Sequence, residues 1–480
     1  VAASDAPAHV KRQADYVCDG TDDATVIQAA LNALNNQGTV LLSPGLFDVT
    51  DNIRVPDGCI LSGSGWGTEL KLNKVNSLVV GQPIVSVGVR ATLERLKING
   101  NAWRDKDIDT NGVHVQNYGI VKLCEIEDVR QYALYTYKSC GVKYLYNLVH
   151  HTRYPFSFTG AGTDGTGFSN GCLAHGNTCY EYDLYVKIRQ AKNIVVSGNT
   201  IINTSSIPDT NPSGIVCSGG DGPYWNISIC NNTVIDAVGT GTGSGIGTIA
   251  DAERLSHNIS IANNVIDGFY RGINLDNVHT AVAINNIVRN ARYAGIGIVN
   301  AGRDHVINNT LYNSGIVCEG ASNCTIKSNI VHGGSRYWSA KGAGVYLFRG
   351  CDNNTIEGNT ITDCTGSGIH LSDYVGNVTN TRIVQNILRD NGTGSILDTS
   401  TGPTTITNNI GYITESKGTA TLLNTTTSIV VAHGCSATPT NITVTPGSIG
   451  NATKWYVDTI DATNFTIHVD QDPGADITFY

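Results

Sequence analysis

Four short stretches between residues 111 and 189 alternate apolar residues with histidine, tyrosine, lysine or arginine. Breaking or epimerising a uronate sugar needs a cation beside the carboxylate, a base that removes the neighbouring proton and an acid that supplies one. Arginine or lysine can provide the cation, and tyrosine and histidine can provide the base and the acid. The catalytic candidates are Tyr135, Tyr137, Lys187, Arg189 and His151, and the substrate-binding candidates are His114, Arg130, His150, Arg153 and Tyr185.

These residues make an acidic sugar chain the natural candidate ligand. Adjacent arginine and aromatic residues elsewhere in the chain suit the same ligand, because guanidinium groups and aromatic faces both bind anionic sugars. The adjacent sets are Arg153-Tyr154, Tyr270-Arg271, Arg292-Tyr293 and Arg336-Tyr337-Trp338. The alternative interpretation is that these tyrosines and arginines cover the protein surface and that each histidine has local partners.

Asp276 and Glu319 form a second candidate set, because each ends a stretch of the same apolar pattern, "RGINLD" and "SGIVCE". If the stretches are stacked strands two coils apart, the carboxylates lie about 9–10 Å from each other, which suits the acid and base of an inverting glycoside hydrolase. Together with Asp304 they could instead bind Ca²⁺. No CxxC motif is present, so we expect no zinc site and no other cofactor.

A recurring asparagine positions these stretches. Eleven copies follow each other at intervals of 20 to 33 residues, and most have an apolar residue three positions before and two positions after. The copies are Asn147, Asn177, Asn199, Asn232, Asn264, Asn286, Asn309, Asn329, Asn359, Asn386 and Asn409. A period of this length is typical of solenoid proteins.

Each copy reads as a strand, a tight turn with the asparagine and a second strand, and a third strand such as "NGVHV" precedes it. The sequence therefore predicts an all-β fold, a single-stranded right-handed parallel β-helix whose asparagines stack and hydrogen-bond from coil to coil. We expect the asparagine also to take the left-handed backbone conformation of the turn. In two earlier coils Leu96 and Cys124 take its place.

The N-terminal segment predicts a helix that closes the first coil. Asp22 or Asp23 can cap this helix, which has apolar residues at Val26, Ile27, Ala30, Leu31 and Leu34. The pattern "DGTDD…IQAA…GTV…PG.F" within residues 16–70 resembles the opening of the pectate-lyase-type β-helix superfamily. The resemblance implies the same fold to about residue 412. That superfamily includes polysaccharide lyases, glycoside hydrolases, uronate epimerases and phage tailspikes, so the resemblance leaves the activity open.

The repeat stops near residue 415, where short alternating strands between Pro and Gly turns predict a small C-terminal β-sandwich module. This part is similar to terminal modules behind β-helices in phage tail proteins. We divide the chain into an N-terminal segment with the capping helix (1–60), a β-helix (61–414) and the C-terminal module (415–480). Long intervals between asparagines place inserted loops at 158–172, 204–226, 237–256 and 333–342, where they would wall a groove.

Bulk properties restrict the partners. The chain of 480 residues has a net charge of −9, which argues against nucleic acid, and it has no apolar run long enough to span a membrane. Sequons such as Asn203, Asn226 and Asn377 are typical of secreted glycoproteins. With the resemblance, these features predict an extracellular, cell-surface or virion-associated protein, similar to tailspikes, that recognises polysaccharide and forms a homotrimer or larger assembly.

Two classes of function are open. The first is an enzyme on acidic polysaccharide, of lyase or epimerase type, with a glycoside hydrolase as the next choice. The second is a non-catalytic structural protein of a phage tail, sheath or cell-surface layer.

Overall fold

Three parallel β-sheets run along the molecule, and each coil contributes strands to them in turn. The computed structural model describes residues 1–73, 81–103, 110–161, 167–204, 212–218, 223–239, 241–249, 256–334 and 342–480. All strand pairs within the coils are parallel and join one coil to the next. The buried apolar side chains from Ala2 to Leu388 form one continuous core inside the coils. The described chain is therefore a parallel β-helix.

Sheet 1 contains the strands that lead into the asparagine turns. They are Gly38–Leu41, Cys59–Ser62, Thr92–Glu94, Ile120–Lys122, Lys143–Leu145, Ser169–Asn170, Leu173–His175, Ala191–Ser197, Trp225–Cys230, Ser256–Ala262, Val278–His279, Val282–Ile284, His305–Ile307, Thr325–Lys327, Thr355–Glu357, Thr381–Val384 and Thr404–Thr407.

Sheet 2 contains the strands that follow the turns. They are Gly45–Val49, Thr68–Leu72, Lys97–Asn99, Thr178–Tyr182, Thr200–Asn203, Thr233–Asp236, Val265–Asp267, Ile287–Arg289, Thr310–Ser314, Ile330–Gly333, Thr360–Thr362 and Ile387–Arg389. Two long strands, Glu125–Tyr137 and Leu148–Thr159, begin in sheet 2 and continue into sheet 3.

Sheet 3 contains the third strand of each coil. Besides the second halves of the two long strands, its members are Ile53–Val55, Pro83–Val87, Asn111–Val115, Val186–Arg189, Ile215–Ser218, Ser244–Ile249, Arg271–Asp276, Ala294–Val299, Ile316–Glu319, Val345–Phe348, Ile369–Leu371 and Ile396–Asp398.

The asparagine ladder forms as predicted, from Asn147 to Asn409. In every step, Nδ2 and the backbone N–H of one asparagine donate to Oδ1 of the next at 2.9–3.0 Å. Leu96 and Cys124 are buried in the earlier coils, and the Cys124 N–H donates to Oδ1 of Asn147 at 3.1 Å. The ladder thus ties each coil to its neighbours.

The left-handed conformation belongs to the residue before each ladder asparagine, so the expectation for the ladder residue itself was wrong. Asn231, Asn263, Asn285 and Asn308 have φ of 54–57°, and no ladder asparagine has a positive φ. The ladder residue directs its amide inward, while the residue before it makes the chain reversal at the surface. Because many copies read "NN", residue type alone does not separate the two roles.

The N-terminal helices are Ala8–Gln13 and Asp23–Asn32. Asp22 occupies the N-cap position of the second helix, and Ile27 and Leu31 are fully buried in the core of the first coil. The strand Gly38–Leu41 already pairs with Cys59–Ser62, so the coils begin inside the segment that the sequence analysis assigned to residues 1–60. Neither helix is long and apolar enough to cross a membrane, nor is any other helix among the described residues.

The C-terminal residues form two small antiparallel sheets, as predicted for a β-sandwich-like module. The strands are Ala420–Leu422, Ser428–Ala432, Trp455–Asp458, Asn464–Val469 and Ile477–Phe479. Their buried apolar residues form a cluster of their own, distinct from the core of the coils.

Candidate functional site

Sheet 3 carries five of the ten residues predicted for the basic and tyrosine site in two neighbouring columns, namely His114, Tyr135, Tyr137, Lys187 and Arg189. The first column, read by strand register, is Arg54, Ser86, His114, Tyr135, Ser157 and Lys187. The second contains Tyr137, Thr159 and Arg189. The residues that alternate with them along the strands, such as Val113, Leu134 and Ile188, are buried in the core, so the columns face outward. The first column spans six strands, or about 24 Å at about 4.8 Å per strand.

Lys187 lies at the centre of an aromatic cluster. Its Nζ donates to the Tyr132 hydroxyl at 3.1 Å and lies 5.0 Å from the centre of the Tyr154 ring. Tyr132 and Tyr154 stack with ring centres 4.6 Å apart, and Tyr185 meets Tyr154 edge-on at 5.4 Å. Burial lowers the pKa of Lys187, and the charge of Arg189 lowers that pKa further. A lysine in this setting holds its proton less tightly than a free lysine and presents its charge between aromatic faces.

Tyr132 is a member of this cluster that the sequence analysis missed. The strand shifts register between Val129 and Tyr132, and this irregularity breaks the alternation of inward and outward residues. Tyr132 pairs with Tyr154 at a spacing of 22 residues, the same spacing that separates the paired Tyr135 and Ser157. That shared spacing is the signal that could have found it.

His114 and Tyr135 stack on each other beside the aromatic cluster. Their rings stack at 4.7 Å with planes 28° apart. Burial lowers the pKa of His114, so its ring is neutral at pH 7 and can accept a proton. Burial raises the pKa of Tyr135 to about 12, so its hydroxyl remains a proton donor. A cavity of about 390 Å³, lined by Arg54, Ser86, Gln116 and others, continues the surface from His114 toward the N-terminus.

The remaining cationic candidates lie at the margins of this surface. Arg189 is two strands along its column from Tyr137, which is 48% exposed. Arg153 donates to the Gln131 side chain at 3.3 Å, and Arg130 lies where its long strand passes from sheet 2 to sheet 3. Arg189 is therefore a member of the second column, while Arg130 and Arg153 lie beside the columns.

His150 and His151 are not brought to this surface. Their strand, Leu148–Thr159, is continuous around the corner of the coil, and residues 148–152 pair within sheet 2. His150 stacks on Tyr180 with ring centres 4.7 Å apart, and Nε2 of His151 lies 2.6 Å from Glu181. The sequence grouped these histidines with the others because it did not show where the strand turns the corner.

Asp276 and Glu319 lie in one column of sheet 3 with Val299 between them, two strands apart as predicted. Burial raises the pKa of Asp276, and the charge of Glu319 raises that pKa further. Glu319 is ion-paired with Arg349. Asp276 thus holds its proton more tightly than a free aspartic acid, while Glu319 has a guanidinium group beside it.

Asp304 does not share this surface. It is fully buried inside the coil, and its Oδ1 accepts the Ala281 N–H at 2.8 Å. The fold therefore does not assemble the three carboxylates that the sequence analysis considered for Ca²⁺.

The other arginine and tyrosine pairs are packed together and do not present open faces. Arg271 lies 4.6 Å from the centre of the Tyr293 ring, and Tyr270 and Tyr293 are 5.2 Å apart. Tyr293 joins Tyr346 and Phe348 in a small apolar cluster apart from the core of the coils. Arg336-Tyr337-Trp338 lie outside the described residues, as do parts of all four predicted loops.

A family model described as "Right handed beta helix region" matches residues 244–411. The fold is a right-handed parallel β-helix. This agrees with the resemblance of the N-terminal segment to the pectate-lyase-type superfamily at the level of fold. No curated protein sequence matches the chain.

Several solved structures are similar to this chain. The A-module of mannuronan C-5 epimerase AlgE6 of Azotobacter vinelandii is 17% identical, with 78% of this chain and 98% of that chain covered and a TM-score of 0.46. The Dettilon tailspike protein is 13% identical, with 96% and 92% covered and a TM-score of 0.48. The catalytic unit of the GH87 alpha-1,3-glucanase from Streptomyces thermodiastaticus is 13% identical, with 81% and 67% covered and a TM-score of 0.42. Likeness at these identities concerns the fold alone.

Proposed function

We propose that this protein is an extracellular or virion-associated, tailspike-like β-helix protein that binds an acidic polysaccharide along the outer face of sheet 3. The observation that carries the proposal is the setting of Lys187, whose Nζ lies between the Tyr132 hydroxyl and the Tyr154 ring, in one column with Tyr135 and His114. Aromatic faces support sugar rings, and the nearby cations neutralise carboxylates along the chain.

The same groups support proton transfer of the lyase or epimerase type. Lys187 and Arg189 would neutralise the C6 carboxylate and so stabilise the negative charge that develops when the C5 proton leaves. Neutral His114 would accept that proton. The Tyr135 hydroxyl would donate a proton, to the departing glycosidic oxygen in a lyase or to the opposite face of C5 in an epimerase.

A second candidate activity is inverting glycoside hydrolysis at Asp276 and Glu319. The raised pKa of Asp276 suits a general acid, and Glu319, which is ion-paired with Arg349, would act as the base. Their separation by two strands, about 9–10 Å, leaves room for the attacking water.

Binding to a panel of purified polysaccharides tests the proposal. We expect the full chain to bind uronate-containing polysaccharides and not neutral ones, with affinity that falls as salt increases. Arg189→Ala should weaken binding at least about tenfold, because a buried charge contact to a ligand is worth more than about 1.4 kcal/mol. Arg382→Ala, which removes an exposed arginine from sheet 1, is the matched control.

Equal binding to neutral and acidic polysaccharides would count against a specific acidic-glycan site on sheet 3. The same loss of affinity with Arg189→Ala and with Arg382→Ala would also count against it. If the chain binds no polysaccharide of either kind, the non-catalytic structural role is the better account.

A further inference from the structure

The outer face of sheet 2 holds a second cluster of titratable side chains. Glu125 and Glu127 alternate along one strand and so point to the same side. His150 is the register partner of Glu127 on the next coil. The side chains of Glu125, Glu127 and His150 are only 14%, 13% and 6% exposed. Three groups that can ligate a metal ion therefore meet in a place that is largely shielded from water.

The distances from His150 to the two carboxylates are close to those of ligands around an ion, and the three ligand atoms all lie within 4.8 Å of one another. Nε2 of His150 lies 3.2 Å from Oε1 of Glu125 and 3.5 Å from Oε2 of Glu127. Two ligand atoms at about 2.0–2.1 Å from a tetrahedral ion are about 3.3–3.4 Å apart. The longer distance exceeds the usual range of an N–H···O hydrogen bond, so one proton on His150 cannot serve both carboxylates.

The neighbouring histidine fixes the orientation of the His150 ring. The Nδ1 atoms of His150 and His151 are 3.1 Å apart, and Nε2 of His151 lies 2.6 Å from Glu181. His150 is thereby held from its Nδ1 side, so its Nε2 faces the two carboxylates.

Other side chains orient the carboxylates for such an ion. Oε1 of Glu127 accepts from Lys97 at 2.7 Å and from Asn99 at 2.9 Å, while its Oε2 faces His150. Asn99 also donates to Glu69 at 2.9 Å, so its amide is held between two carboxylates. An amide donor of this kind commonly fixes a carboxylate that ligates a metal, whereas Lys97 places a positive charge beside it.

We infer that Glu125, Glu127 and His150 form a site for one divalent transition-metal ion of the Zn²⁺ or Mn²⁺ class. An imidazole nitrogen with two carboxylates suits these ions better than Ca²⁺, which takes oxygen ligands. The ion would join two adjacent coils on the strands that continue into sheet 3 with Tyr135 and Ser157. The inference does not depend on the proposed function. The sequence alone does not reveal this metal site, because its ligands come from two separate coils and form no local motif.

Metal titration of the full chain, freed of metal with a chelator, tests the site. We expect calorimetry to show one Zn²⁺ or Mn²⁺ per chain, and Co²⁺ to give the visible absorption of an ion with a nitrogen ligand. His150→Gln should weaken binding by more than about 100-fold, beyond the effect typical of residues that only orient ligands. His175→Gln, on sheet 1, should leave the affinity unchanged.

Lys97→Gln provides a test in the opposite direction. The lysine ammonium lies 2.7 Å from Glu127 and 3.8 Å from Glu125, so it competes with a bound cation. Its removal should tighten metal binding several-fold, a change that general loss of structure does not produce. If circular dichroism shows that His150→Gln does not fold, the metal affinities of Lys97→Gln and Glu125→Gln test the site instead.

Three outcomes would overturn the inference. They are the absence of stoichiometric binding by the unaltered chain, an affinity that His150→Gln leaves unchanged, and a preference for Ca²⁺ that does not involve the histidine.

Discussion

Asn309 shows how a single side chain holds a coil in register. Its Nδ2 donates to the Ala283 carbonyl at 2.8 Å and to Oδ1 of Asn329 at 3.0 Å, and its Oδ1 accepts two hydrogen bonds from Asn286. It is 1% exposed, so water cannot replace these partners. The residue before it, Asn308, is exposed and carries the left-handed conformation with φ of 54°. Two adjacent asparagines therefore have different tasks.

Replacement of these two neighbours separates the tasks. Asn309→Ala should lower the free energy of unfolding by about 1–3 kcal/mol, because it leaves buried donors and acceptors unsatisfied. Asn308→Gly is the matched control and should be nearly neutral, since glycine adopts a positive φ readily. Urea unfolding followed by circular dichroism measures both. Equal stability of the two variants would mean that the coils do not depend on the ladder.

The buried carboxyl of Asp304 should make the free energy of unfolding depend on pH. Burial raises the pKa of Asp304 to about 7, against about 3.9 in an unfolded chain. Between these pH values the Asp304 carboxyl keeps its proton in the folded chain and has released it in the unfolded chain. Its contribution to the free energy of unfolding is therefore fully present below pH 4 and is lost as the pH rises through 7. This loss amounts to at most about 4 kcal/mol.

The variant Asp304→Asn isolates this effect. The amide keeps the oxygen that accepts from Ala281, as the Asn354 side chain does for the Cys324 N–H. The variant should gain stability over the unaltered chain as the pH rises from 4 to 8, measured by unfolding at each pH. Parallel stability curves for the two proteins would show that Asp304 does not titrate in this range.

At the scale of elements, the sequence predicted the features that recur in every coil and missed the irregularities within individual strands. The period and the alternation located the ladder, and they placed His114, Tyr135 and Lys187 in one column. They missed Tyr132 at the register shift and grouped His150 with sheet 3, because alternation does not show an irregularity or a corner within a long strand. Contacts between coils, such as that of His150 with Glu125, depend on the register of whole coils. No local pattern encodes that register.

The C-terminal module is an element whose independence can be tested by removal. It has its own apolar cluster, and Ser436 exchanges hydrogen bonds of 2.8 and 2.7 Å with Ile413 at the end of the coils. We expect a chain without residues 416–480 to stay monodisperse and to keep nearly the same melting temperature for its coils. Aggregation of the shortened chain would identify the module as the cap or the assembly interface of the last coil.

At the scale of the molecule, the coils separate two kinds of surface. The outer face of sheet 3 presents Lys187 and Arg189 among tyrosines, whereas the long strand Glu125–Tyr137 presents Glu125, Glu127 and Asp128 on sheet 2. Stacking in parallel makes each surface a straight column, so one outward residue per coil is enough to build an extended site. An acidic sugar chain laid along the axis would meet the cations of sheet 3.

Four substitutions, measured together, distinguish a lyase or epimerase from an inverting hydrolase. If the protein acts on an acidic polysaccharide by proton abstraction, Arg189→Ala and Tyr135→Phe should each reduce turnover at least about 100-fold, because they remove charge neutralisation and the proton donor from the transition state. Melting temperatures should change little, since both side chains lie on the outer face. Ultraviolet absorbance of unsaturated products identifies a lyase, and inversion at C5 seen by NMR identifies an epimerase. Should Asp276→Asn and Glu319→Gln abolish the release of reducing ends while Arg189→Ala is tolerated, the inverting hydrolase is the correct mechanism.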